Sequence, residues 1–145
     1  MNLLVIADAD TRYGAPHSLL HMVQALQEQY KINIKVVLPA DSEMRIKLEN
    51  MGCDVFCIHY APFYQGIPTD LWKYPIKYII RGVPYWYGRI RAVKEVEQSI
   101  DLKTIDLIHS NSSREDLGAL IAGKHHIPLI WHIREFGDRD YICYS

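Results

Sequence analysis

The sequence predicts an α/β fold: a parallel sheet of about five strands with helices flanking it. Three observations carry this expectation. Short apolar runs of strand length alternate with segments whose apolar residues recur at helical spacing. Strand, helix, strand, helix, strand follow one another in under sixty residues, the rhythm of right-handed βαβ units. The 145 residues, 49% of them hydrophobic, suffice for one domain with a sizeable core and are too apolar for a disordered chain.

Asn2 to Ala7 is a short apolar run suited to a central strand covered on both faces. Thr11 to Pro16 reads as a loop, and Pro16 suits the first position of a helix, where its missing N–H costs nothing. Leu19, Leu20, Met22, Val23, Leu26 and Tyr30 then recur at helical spacing, while Gln24, Gln27, Glu28 and Lys31 face away. Asn33 to Leu38 is a second strand, closed by Pro39. Asp41 or Ser42 can cap a helix carrying Met44, Ile46, Leu48 and Met51, which Gly52 ends. Cys53 to Ile58 is a third strand.

Here the rhythm breaks. Tyr60 to Thr69, with Pro62, Gly66 and Pro68, reads as loop. Trp72 to Ile80 and Tyr85 to Ile100 read as two helices separated by Gly82 to Pro84. Thr104 to His109 is a fourth strand, Ser113 can cap a helix carrying Leu117, Leu120 and Ile121, and Ile127 to Ile133 is a fifth strand. The elements together describe a Rossmann-like domain. Arg134 to Ser145 contains no helix to cover the fifth strand, so the domain over residues 1–145 is expected to be incomplete and to belong to a larger architecture.

Composition excludes several classes. No apolar run reaches the 18 or so residues of a membrane span. Asp8 and Asp10 follow the first apolar run where a secretory signal would continue. Cys53, Cys57 and Cys143 are odd in number, and the first two lie in an apolar run where they read as small buried hydrophobes; a reducing, cytoplasmic setting is expected. The formal net charge of -1 hides an imbalance. Lys73, Lys77, Arg81, Arg89, Arg91 and Lys94 occupy a stretch without a single acid, and nine of the 16 aromatics fall between Tyr60 and Tyr87. Basic plus aromatic suits the interface of an anionic membrane. Nucleic acid is the rival partner, disfavoured by the overall charge and the absence of an RNA-binding motif. Trp72, Tyr74, Tyr78 and Trp86 could instead be ordinary core residues of a helical pair.

In an open parallel sheet, ligands bind beyond the carboxyl ends of the strands, above all where the strand order reverses. Those ends offer Asp8, His59, His109, Asn111, His132, Arg134 and Glu135. The turn at Tyr13, Gly14 and Ala15 can present backbone N–H groups to an anion, but its single glycine makes neither a dinucleotide fingerprint nor a Walker loop. Arg134 and Glu135 are adjacent and point to opposite faces of an extended chain. Arg114 and Glu115 share that ambiguity near a helix start, where a favourable helix dipole would by itself explain Glu115. Spacing assembles no Ser-His-Asp constellation, no paired carboxylates and no metal site.

The residues at these strand ends form a pattern. The stretches Asp10 to Leu20, Val36 to Pro39, Ile105 to Asn111 and Ile130 to Glu135, taken in order and spacing, resemble the N-terminal domain of a family 4 glycosyltransferase of the GT-B fold. The resemblance covers nearly the whole chain. It implies one half of a GT-B architecture and a retaining transfer of sugar from a nucleotide-sugar donor to a glycan or lipid-linked acceptor. The N-terminal domain would hold the acceptor, and a C-terminal donor-binding domain, absent from this sequence, would supply most donor contacts. No cofactor is implied. The family's glycine-rich turn falls on Gly14 and Ala15, which would approach the donor phosphates, with Tyr13 beside the cleft. Its histidine pair falls on His109 and Asn111, and an amide at the second position can hydrogen-bond a sugar but not take a proton. His132 matches the fifth-strand edge as the candidate catalytic residue, with Arg134 and Glu135 lining the cleft or meeting the acceptor. Lys77, Arg81, Trp86, Arg89 and Arg91 would touch an anionic membrane surface or a lipid-linked acceptor, at the inner face of the membrane in the setting of polysaccharide synthesis. Alone, the domain is expected to bind and not to turn over. The alternative is a non-catalytic Rossmann-like binding or assembly module that uses the 72–94 surface; a metal-dependent hydrolase built on the histidines is a third reading.

Overall fold

The computed structural model describes residues 1–9, 14–61, 65–66, 74–133 and 143–144, with the backbone alone at 14–15, 65–66, 74–81 and 143–144. The chain runs β1 (Asn2–Ile6), α1 (Gly14–Tyr30), β2 (Asn33–Leu38), α2 (Glu43–Asn50), β3 (Asp54–Cys57), β4 (Gln65–Gly66) and α3 (Tyr74–Ser99). A 3₁₀ turn over Leu102–Thr104, β5 (Leu107–Ser110), α4 (Leu117–His125), β6 (Leu129–Trp131) and β7 (Cys143–Tyr144) complete it. Five strands form one sheet in the order β3-β2-β1-β5-β6, every neighbouring pair parallel, and β4 pairs antiparallel with β7. The α/β class and the five-stranded parallel sheet are those the sequence predicts. The order reverses between β1 and β5, which places the crevice of a doubly wound sheet beyond Ile6 and Ser110.

Alternation along β1 divides the core in two. Leu3, Val5 and Ala7 pack with Leu19, Val23, Val36, Leu38, Met44 and Leu48 under α1 and α2. Leu4 and Ile6 pack with Ala92, Val93, Val96, Ile108, Leu117 and Ile121 under α3 and α4. A central strand buried on both faces has no room for polar side chains, hence its continuous apolar run. Gly52 leaves α2 at φ +81, a conformation L side chains rarely adopt, and its N–H donates to the Glu49 carbonyl at 2.9 Å.

Several boundaries differ from expectation. Gly14 and Ala15 belong to the first turn of α1, so Pro16 is its third residue. Residues 102–106 do not extend β5; instead the Asp101 side chain accepts from the Lys103 N–H and holds a turn. Asp116, not Ser113, precedes α4, and neither it nor Ser42 makes a side-chain cap bond. Cys53 is buried as expected, whereas Cys57 is exposed because β3 is an edge strand. Tyr30 and Ile46 are exposed, leaving Met44 and Leu48 as the buried residues of α2. The two helices expected around Gly82 to Pro84 are one: α3 runs 26 residues through Pro84. A proline inside a helix forfeits its own backbone hydrogen bond and crowds the carbonyl four residues back, yet the chain stays helical on both sides of Pro84.

That length matters. At 1.5 Å per residue α3 spans about 39 Å, two to three times the length of the strands it crosses. Among its described side chains the buried ones are Arg89, Ala92, Val93, Val96 and, just past its end, Ile100. As the crossover between parallel strands it runs antiparallel to them, so its N-terminal end lies toward their carboxyl ends. Arg89 meets Tyr60 and Asp116 there, and the part of the helix N-terminal to that level, residues 74–88, is about 22 Å long. On this part Val83, Trp86, Tyr87 and Ile90 form an exposed apolar stripe.

Candidate functional site

The carboxyl rim of the sheet carries two groups of polar residues, one on each face. On the α1 face stand the start of α1, His109, Asn111 and His132. His109 pairs in register with Val5 and Ile130, which fixes its side chain on the face of Val5, toward α1. Asn111 lies two residues on and donates its backbone N–H to the Ile6 carbonyl at 2.9 Å, across the strand-order reversal. His132 continues β6, its N–H donating to the Ser110 carbonyl at 2.8 Å. The His109 and His132 rings meet edge to face with centroids 5.9 Å apart. His109 and Asn111 are buried and His132 is exposed. Gly14 and Ala15 bring the first N–H groups of α1 to the same rim, since α1 packs on this face and follows β1.

Tyr13, Arg134 and Glu135 lie outside the described residues, as do the side chains of Lys77 and Arg81. Trp86 is 53% exposed and therefore not a core residue. Arg91 is exposed and pairs with Glu95 at 3.2 Å. His59 is exposed beyond β3. Arg89 departs from expectation. It is 1% exposed and belongs to the interior, not to the cationic surface.

The second group is on the α3/α4 face, and sequence reading missed it. The Arg89 guanidinium lies between the Tyr60 and Tyr85 rings, 5.0 and 4.8 Å from their centroids, and forms an ion pair with Asp116. Its Nε donates to the Tyr85 hydroxyl at 3.0 Å, and that hydroxyl donates to Asp116. The Tyr60 hydroxyl donates to the Ala7 carbonyl at 3.4 Å. Asp8, at the end of β1, pairs with Arg114 at 3.5 Å. Glu115 sits among these groups with 1% exposure, and its Oε2 makes no hydrogen bond. Burial pushes its carboxyl up to about 7; Asp8 adds to the rise, while the Tyr60 hydroxyl, Arg89 and Arg114 oppose it. The helix-dipole account of Glu115 fails: the residue precedes α4 and points into the protein. The signal that would have found Arg89 was its spacing, since 89, 92, 93, 96 and 100 form one buried helical stripe.

Between α3 and α4 lies a groove of about 240 Å³ whose apolar walls are Trp86, Ile90, Val93 and Leu120, with Lys94 and Lys124 at its edge. Among the described residues no cluster of His, Cys, Asp and Glu could hold a metal ion, and no helix is long and apolar enough to cross a membrane.

No protein-family model matches the chain, and no curated protein does. Solved structures match it well. MurG of Acinetobacter baumannii aligns with TM-score 0.63 at 15% identity, over 94% of this chain and 37% of its own. Anabaena HepE in complex with UDP-glucose aligns with TM-score 0.60 at 19% identity, over 93% of this chain and 29% of its own. CalG4, the calicheamicin glycosyltransferase, aligns with TM-score 0.59 at 14% identity, over 99% and 34%. The chain has the fold of one Rossmann-like half of GT-B glycosyltransferases. It spans about a third of the length of these structures.

Proposed function

We propose that this chain is the N-terminal, acceptor-side domain of a retaining, family 4-like glycosyltransferase that moves a sugar from a nucleotide-sugar donor to a glycan or lipid-linked acceptor. One observation carries the reading. The α1 start, His109, Asn111 and His132 lie on one rim and one face of a sheet, beside its strand-order reversal, and that sheet has the fold of half of known glycosyltransferases. HepE, at 19% identity, is solved with UDP-glucose, which supports a nucleotide-sugar donor here.

The chemistry follows from these groups. Negative charge grows on the departing diphosphate, and preorganised N–H donors stabilise it without reorganising. Gly14 and Ala15 supply such donors from the head of α1, where the helix dipole adds to the effect. Asn111 offers an amide to a sugar hydroxyl, and His132, exposed at the strand edge, meets the reacting sugar or the acceptor. Tyr13, Arg134 and Glu135 flank these positions in the sequence and are assigned to the acceptor cleft. The donor-binding domain completes the enzyme, so the isolated chain binds weakly and does not turn over.

The exposed stripe of Val83, Trp86, Tyr87 and Ile90, on a helix that also carries Lys77, Arg81 and Arg91, supports docking on an anionic cytoplasmic membrane face. The same stripe favours the second reading, a non-catalytic module that assembles with a protein partner through residues 72–94. Sugar transfer by the protein with its natural C-terminal continuation decides between them. Radiolabel passing from UDP-sugar to a lipid extract supports the enzyme, and its absence across a nucleotide-sugar panel refutes it. Replacing Lys77, Arg81 and Arg91 with Gln should weaken binding to phosphatidylglycerol vesicles by about 1 kcal/mol per charge. Unchanged vesicle binding removes the membrane from the proposal.

A further inference from the structure

The buried polar group on the α3/α4 face lies outside the sugar-transfer reading and has its own logic. It collects charged or titratable side chains from every element packed there: Asp8 beyond β1, Tyr60 beyond β3, Tyr85 and Arg89 on α3, and Arg114, Glu115 and Asp116 before α4. Among the described residues, with Asp8 and Asp116 as carboxylates and Arg89 and Arg114 as guanidinium ions, the charges cancel without any contribution from Glu115. An ionised Glu115 adds one uncompensated anion on a side chain that is itself closed to water, with an oxygen that has no donor. A protonated Glu115 leaves the cluster neutral.

What the cluster holds is α3. Tyr85 and Arg89 are fixed to Asp116, and the Arg89 guanidinium is clasped between two tyrosine rings. C-terminal to this point the helix is anchored by Ala92, Val93 and Val96 in the apolar core. N-terminal to it lie Val83, Trp86 and Tyr87 of the exposed stripe and Pro84, which cannot donate a backbone hydrogen bond and marks where the helix yields most easily.

We propose that Glu115 is a proton latch: protonated, it completes a charge-balanced cluster that clamps α3 to the sheet rim at Arg89, and ionised, it drives release of the N-terminal half of α3. Released, that half changes its position over the crevice and opens the groove between Trp86 and Leu120. The groups facing Glu115 set the direction. Asp8 opposes its ionisation, whereas Arg89, Arg114 and the Tyr60 hydroxyl favour it, and burial outweighs them. The carboxyl titrates at about 7 when closed and near 4.5 once exposed to water, so opening increases about tenfold between pH 6 and pH 8. The device stands apart from sugar transfer and is measured without it.

Hydrogen exchange of this chain, corrected for the intrinsic pH dependence of amide exchange, tests the latch. Peptides covering residues 82–93 should lose about tenfold protection from pH 6 to pH 8, while peptides from β2 keep theirs. Glu115→Gln should abolish the dependence. Asp8→Asn removes the carboxylate that opposes ionisation of Glu115, so it should move the transition to lower pH. It also provides the test if the Gln variant does not fold. Parallel profiles for wild type and Glu115→Gln overturn the proposal. So does a loss of protection shared equally by β2, which would mean only a change in whole-molecule stability, or an Asp8→Asn transition at unchanged or higher pH.

Discussion

Gly118 allows a quantitative test of how α4 seats on the sheet. A Cβ added there would stand 2.1 Å from the Ser110 Oγ and 3.3 Å from both Ile108 Cγ2 and Ile6 Cγ1. The first distance is a collision that something must relieve; the other two need neighbours to give by only a few tenths of an ångström. Ser110 sits in β5 between β1 and β6 with no exposure, so its backbone has little freedom to retreat. Overpacking of this kind costs about 1–3 kcal/mol, against a helix-propensity gain of at most about 1 kcal/mol for Gly→Ala. Gly118→Ala should therefore destabilise by about 1–2 kcal/mol. Ser110 Oγ is itself buried without a hydrogen-bond partner, so Ser110→Ala should be neutral or stabilising by up to about 1 kcal/mol. In that background Gly118→Ala loses its collision and should be close to neutral. Urea denaturation followed by helical circular dichroism measures all four corners of the cycle, with a coupling of about 1–2 kcal/mol expected. A Gly118→Ala protein as stable as wild type, or a coupling below about 0.5 kcal/mol, would refute this account of the α4–β5 contact.

Other outcomes follow from the same geometry. The Glu115 carboxyl titrates at about 7 in the folded chain against its usual 4.5, so the folded state binds this proton more tightly. Its contribution is complete below pH 4.5 and declines as pH rises to 7, by about 3 kcal/mol in all. Glu115→Gln should flatten that slope and exceed wild-type stability above pH 7; parallel stability curves would contradict it. Asp116→Ala leaves the buried Arg89 guanidinium uncompensated and should cost about 3–5 kcal/mol in chemical denaturation, whereas Arg89→Met with Asp116→Leu should recover most of the loss. In the full-length protein, His132→Ala and Gly14→Val should each reduce sugar transfer strongly with an unchanged circular dichroism spectrum. Retained transfer in both would remove these positions from the site.

Much of this protein was legible from residue order. Apolar runs at Asn2 to Ala7 and Asn33 to Leu38 can satisfy their backbone and bury their side chains only as strands of a covered parallel sheet. The helical stripe from Leu19 to Leu26 needs that sheet as its partner. Rim positions of His109, Asn111 and His132 followed from strand polarity, because residues at carboxyl ends of parallel strands share one edge. What residue order could not determine was which rim residues face each other across the sheet. That depends on the order β3-β2-β1-β5-β6 and on the alternation that turns His109 toward α1 and Asp8 toward α4. Arg89 and Glu115 illustrate the difference. As isolated residues they read as a surface cation and a helix-start acid, for which solvent is the default environment. Only long-range packing, which brings residues 60, 89 and 115 together in the interior with residue 8 at its edge, makes the first a buried anchor and the second an acid poised near neutrality.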